Sequence, residues 1–229
     1  ESLEAAIDAQ AAKSPDAVAK LQTAASHMPM TADVLAGAIA TQMPEKFMGK
    51  VDGGASTLRA GLTSLLQEHV YLAGITTGTA LSGGDYKVPA GVLDQNSVAL
   101  SKAIASVYGD AAGTEFLALW RKHIGFFVDY TVGRATNDQA KLDQAKAALD
   151  GYRNDFGAFL AAANPKLTKE AVAEELKGHV ESLEAAIDAQ AAKSPDAVAK
   201  LQTAASHMPM TADVLAGAIA TQFPDKFGA

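Results

Sequence analysis

Apolar residues recur every three to four positions along most of the chain, the spacing of a helix with one buried face. This pattern and its interruptions predict six helices in one complete unit. The first runs from about Ser56 to Leu81 and stops at Ser82-Gly83-Gly84-Asp85, where glycine supplies the left-handed backbone of a helix end. The second starts near Pro89 and ends at Tyr108-Gly109. The third covers Asp110 to about Arg134, with Asn137-Asp138 as the turn, and the fourth covers about Gln139 to Ala163, closed by Asn164-Pro165. The fifth begins at Thr168, a hydroxyl N-cap, and reaches Lys193. The sixth begins at Ser194-Pro195-Asp196 and ends before Phe223-Pro224.

The pattern also repeats as sequence. Residues 1–42 return letter for letter as 181–222, and the flanks then diverge from Met43-Pro44-Glu45-Lys46-Phe47 to Phe223-Pro224-Asp225-Lys226-Phe227. Residues 1–50 therefore read as a partial repeat, a helical hairpin, and 51–229 as a complete helical repeat domain, joined at Val51-Asp52-Gly53-Gly54. The expected fold is all-α, an antiparallel bundle of about six helices per repeat preceded by the partial repeat. Residues 51–180 need one closing hairpin, and either 1–50 or 181–229 qualifies. The spare hairpin would carry an uncovered apolar stripe, to be met by a neighbouring repeat or another chain. Head-to-tail contacts of that kind build rings or open filaments.

Composition narrows the function classes. Abundant alanine and few aromatics suit packed helices better than sheets. The net charge is −7 with scattered basic residues, which leaves no stripe to neutralise a phosphate backbone, so nucleic acid is not an expected partner. No apolar run reaches the length of a membrane span. Cysteine is absent, which removes disulfides, thiolate metal sites and cysteine nucleophiles. Glu rather than Met opens the sequence, so the natural start, with any export signal, is expected upstream.

The candidate chemistry lies with histidine. His69, His123, His179 and His207 fall on four different helices, and His27 duplicates His207. Each lies among apolar residues at helical spacing: Leu65, Leu66, Leu72 and Ala73 around His69; Leu119, Trp120, Phe126 and Phe127 around His123; Leu176 and Leu183 around His179; Ala204 and Met210 around His207. If they converge, the four form a metal site or bind haem, because bundle cores build such sites from facing helices and imidazole suits zinc, copper, iron and nickel. Met208 and Met210 would add thioethers, and Glu68, Asp129, Glu184 and Asp213 are candidate outer partners. The bland alternative is four histidines hydrogen-bonded within a core. Glu-x-x-His, His-x-x-x-His and His-Glu-x-x-His spacings are all missing.

Other constellations carry less. Gly78, Gly83 and Gly84 form no phosphate loop, and Ser101 and Ser206 lack a nucleophile elbow. Trp120, Phe126, Phe127 and Tyr130 read as core packing, and Tyr152-Arg153-Asn154-Asp155 as a solvated face. No acid–base or nucleophile set stands out, so no enzyme is expected.

Leu65-x-x-Glu68-His69-Val70, His123-Ile124, Phe159-Leu160 with Ala163-Asn164-Pro165, His179, and His207 with Ala212-Asp213 and Gln222-Phe223-Pro224-Asp225-Lys226-Phe227 together resemble a helical-bundle repeat domain of exported bacterial proteins, with one histidine on each of four helices. The resemblance covers about 55–229. It implies an all-helical fold and an extracellular or cell-surface location, and no activity. Gly178 before His179 and Met208-Pro209 after His207 depart from the pattern. The leading functional expectation is a structural or assembly module of a tandem-repeat protein, with filaments formed by hairpin exchange. A transition-metal or haem site at the four histidines is the alternative.

Overall fold

The computed structural model describes residues 2–47 and 51–227, and every regular element among them is a helix. In chain order these are α1 (Ser2–Ala11), α2 (Ala17–Ala25), α3 (Met28–Gln42), α4 (Gly54–Leu81), α5 (Lys87–Tyr108), α6 (Asp110–Thr136), α7 (Gln139–Ala163), α8 (Lys169–Ala191), α9 (Ala197–Ser206), α10 (Met208–Gln222) and α11 (Pro224–Phe227). Two compact units are formed, one from 1–64 with 212–229 and one from 65–211. Their boundaries fall inside α4 and α10, a different line from the sequence division at residue 50.

Local chemistry sets most helix ends where the pattern placed them. Gly109 takes φ +90° between α5 and α6, and Asn137 ends α6 at φ 55° in the left-handed region that asparagine tolerates. Asp138 caps α7 by accepting from the Lys141 amide at 3.0 Å, and Thr168 caps α8 by accepting from the Ala171 amide at 3.2 Å. The expected sixth helix is instead two, α9 and α10, separated at His207. Pro209 is the cause: it has no amide proton, and its ring crowds the carbonyl four residues earlier. His207, between α9 and α10, keeps right-handed helical angles (φ −75°, ψ −24°).

In the 65–211 unit, α6 packs on α5, α7 and α8, α7 packs on α8, and α8 on α9. The core is aliphatic and aromatic, including Leu66, Val70, Leu100, Phe116, Phe127, Leu149, Leu160, Leu183 and Ile187. Gly157 of α7 lies so close to α8 that a Cβ there would stand 2.5 Å from the Lys169 carbonyl oxygen. Backbone cannot yield as a side-chain tip does. Gly157→Ala is expected to destabilise the chain by about 2 kcal/mol through overpacking, read as a lower urea midpoint with an unchanged slope.

The duplicated segment has two environments. In the second copy Leu183, Ile187, Met208 and Ile219 are 0–3 % exposed, whereas their counterparts Leu3, Ile7, Met28 and Ile39 are 43–59 % exposed. The second copy also makes directional contacts. The Tyr130 hydroxyl donates to Asp188 at 2.8 Å, and Arg134 pairs with the same carboxylate. Gln190 donates to the Gly74 carbonyl at 2.9 Å, its side chain also meeting the Thr77 hydroxyl. Lys146 faces Glu184 at 3.7 Å. Within the 65–211 unit it is residues 181–211 of the second copy that pack with the unique helices. Covalent continuity explains the choice: α8 runs unbroken from unique residues into the duplicate, so its second half extends an existing helix without a loop to close. Residues 2–42 make a hairpin of α1 on α2, with Ala6 and Ala9 buried, and no residue of α2 or α3 is buried.

Candidate functional site

His69, His123 and His179 project from α4, α6 and α8 into the interior of the 65–211 unit, with exposures of only 1–6 %. Their neighbours at helical spacing determine this. Leu66 and Ala73 flank His69, Trp120 and Phe127 flank His123, and Leu176 and Leu183 flank His179, and all are buried. The Nε2 atoms of His69 and His123 stand 3.3 Å apart. Trp120 packs on both rings, with centroids 4.9 Å from His69 and 4.6 Å from His123. Tyr152 of α7 stacks on His123 at 4.8 Å with an interplanar angle of 29°.

Beside the pair is a cavity of about 30 Å³, whose lining includes His69, Ala73, Leu93, His123, Phe127 and Leu183. That volume admits an ion or a water or two, and a haem macrocycle does not fit. The Nδ1 atoms of His69, His123 and His179, the Trp120 Nε1 and the Tyr152 Oη are all buried without a hydrogen-bond partner. Buried polar atoms are nearly always partnered, so this cluster is exceptional.

The electrostatics follow from dryness. Burial holds the His69 imidazole down to about 3, with the His179 charge adding to the effect. Burial, then the charges of His69 and His179, keep His123 well below its ordinary value, and the Trp120 carbonyl works weakly the other way. Burial and then the His207 charge bring His179 to about 4. At neutral pH these rings are therefore uncharged, with lone pairs available.

His207 is only half-buried, at the bend between α9 and α10. It lines an open groove of about 520 Å³ with Glu174, Glu175, Glu181 and Met210. His27 is exposed, contrary to the expectation that every histidine avoids solvent. The four predicted residues thus divide into a contact pair, a third buried ring close enough to bias both, and a fourth at the surface.

The carboxylates proposed as outer partners face elsewhere. Glu68 accepts from Asn96 Nδ2 at 2.6 Å, Asp129 pairs with Lys141 at 3.2 Å, Glu184 with Lys146, and Asp213 with Arg59. Of the thioethers, Met208 is buried and Met210 half-exposed. Among the described residues, no three His, Cys, Asp or Glu side chains are grouped to enclose a metal ion. Tyr152 and Trp120 are the site residues that the motif reading missed. Tyr152 continues the buried stripe Ala145-Leu149-Phe156, a 3.6-residue signal hidden by its polar successors.

No family model, curated protein or solved structure matches the chain. The resemblance to exported helical repeats rests on its residues alone.

Proposed function

We propose that this protein is a helical repeat module, an antiparallel bundle with a preceding partial repeat, whose core binds a copper(I) ion between His69 and His123. The observation that supports this reading is the 3.3 Å approach of two buried Nε2 atoms within a set of unpartnered polar atoms. Two nitrogens bound at ~2 Å on opposite sides of a two-coordinate ion stand about 4 Å apart, so the rings need to part by only roughly 0.7 Å to admit one. A hydrogen bond between the rings is the competing account. With His123 as the acceptor the Trp120 carbonyl is at hand for its Nδ1–H, and the atom left unpaired is the Nδ1 lone pair of His69, at about 1–3 kcal/mol.

The surroundings select the metal. Zinc and iron(II) favour four or more ligands, commonly with carboxylate or thiolate to offset the double charge. No such group faces this cavity. Copper(I) is stable with two neutral nitrogen donors and carries a single charge, which lowers the cost of burying it. Trp120 packs on both rings and Tyr152 on His123, which walls the pair from water.

Purified chain equilibrated with copper(I) under reductant, then dialysed against a weak chelator, is expected to retain copper near one per chain. His69→Leu and His123→Leu should each lose it, and His27→Leu should not. X-ray absorption of the loaded protein should show low-coordinate nitrogen ligation. Copper-free protein after loading, or full retention in a folded His69→Leu/His123→Leu double variant, would remove the reading.

A further inference from the structure

We propose that the indole face of Trp120 supplies the counter-charge for the buried copper ion, a cation–π contact that makes Trp120 a third binding residue of the site. This rests on the reading of His69 and His123 as the ligands. Even a single charge is costly in a dry core unless negative potential faces it. Imidazoles bound through their lone pairs are neutral donors, and among the described residues no carboxylate lines the cavity beside them. The hydroxyls in that lining are already engaged: Thr76 donates to the Leu72 carbonyl at 2.7 Å, and Thr77 meets the Gln190 side chain at 2.8 Å. The face of an aromatic ring carries negative potential without carrying a charge.

The ring positions put that face on the ion. The imidazole centroids are 5.3 Å apart and their Nε2 atoms only 3.3 Å, so each nitrogen points at the other ring. With the indole centroid 4.9 Å from His69 and 4.6 Å from His123, the midpoint between the two imidazoles lies about 4 Å from it, inside the ~6 Å range of a cation–π contact. A point so near the centroid is over the face, because in the ring plane the indole's own C–H and N–H bonds fill that distance. Parting the imidazoles to admit the ion leaves the midpoint where it is. Trp120 is outside the cavity lining, so the ion's seat has the cavity on one side and the indole on another. The indole is not held there by its N–H: Nε1 is buried without a partner, although a buried tryptophan usually satisfies that donor. Phe116, one turn earlier on α6, stacks on the indole at 5.0 Å and 19°, and Phe156 of α7 packs at 5.8 Å, so the ring is set in place before an ion binds.

Trp120 is the only tryptophan of the chain, so fluorinated tryptophans supplied during cell-free synthesis alter this ring alone. Each fluorine drains the π face while nearly preserving the ring's size. The copper(I) affinity of the full chain, measured under reductant by competition with a chromogenic copper(I) chelator, is expected to fall stepwise from tryptophan through its mono-, di- and trifluoro forms, by ~10-fold across the series. Melting temperatures of the metal-free forms should stay close together. Equal affinity across the series, with copper still lost in His69→Leu and His123→Leu, would overturn the role of Trp120 and leave the histidine ligands standing. Affinity that follows the metal-free melting temperature instead of the fluorine count would make the indole a packing residue and also sink the proposal. A chain that takes up no copper(I) in any form would remove the ligand reading and this contact with it.

Discussion

Replacing Ile187 with alanine is expected to lower stability by about 3 kcal/mol, and replacing Ile7 with alanine by less than about 0.5 kcal/mol. The two isoleucines share the six residues before them and the thirty-five after them, so local propensity is common to both, although Ile7 lies in the short α1 and Ile187 in the long α8. They differ in burial, 0 % exposed against 55 %. Truncating Ile187 removes buried methyl groups and leaves a cavity among residues with little freedom to collapse. At Ile7 water fills the space. Urea unfolding measures the pair directly. Equal effects would mean that both copies pack alike, against the structure described here.

The metal-free protein is expected to lose stability steeply below about pH 6.5. The folded state holds His69 near 3 and His179 near 4, and it depresses His123 as well, while the unfolded chain protonates all three at the ordinary value of 6.5. The sign follows from proton counting: between pH 6.5 and about 4 the unfolded chain binds more protons, so stability falls as pH falls. The contribution is fully present above 6.5. Each ring removes on the order of 1 kcal/mol per pH unit within the window. Three such rings weigh heavily against the ~5–15 kcal/mol of a typical domain, so unfolding near pH 5 is expected. His179→Leu should make the dependence of melting temperature on pH shallower by about a third. An unchanged slope would show that the ring is accessible to protons in the folded state. Bound copper should shift the transition to lower pH, since metal and proton compete for the same lone pairs.

The helices were largely legible because their ends depend on nearby residues. Gly83, Gly109, Asn137, Asp138 and Thr168 each act within one turn, so reading them requires no knowledge of the fold. The bend at His207 was half legible: Pro209 was noticed as a source of bending, but a continuous apolar stripe kept one helix in view. The interior placement of His69, His123 and His179 followed from apolar spacing. Their convergence did not, because periodicity within a helix says nothing of which helices are neighbours. The carboxylates failed for a geometric reason. Glu68 immediately precedes His69 and Glu184 stands five positions beyond His179, which turns them about 100° and about 140° from the directions of their histidines. Tyr152 was misread because the polar residues after it outweighed one apolar-face position. Which hairpin closes the bundle was open in a duplicated sequence, where both copies have the same affinity for one seat. In the 65–211 unit the unbroken helix α8 brings in the second copy as far as residue 211, and that is a property of chain connection.

That duplication has a consequence during biosynthesis. Within residues 1–229 the first copy is synthesised before the helices of 65–180, and the second copy after them. As residues 65–180 collapse, the hairpin already waiting upstream matches their open flank residue for residue, so an early competitor is bound before the proper segment has been made. Release of that competitor must then precede completion of α8. Refolding of the intact chain should accordingly show a slow phase that depends on the upstream copy, a kinetic debt written into the order of translation.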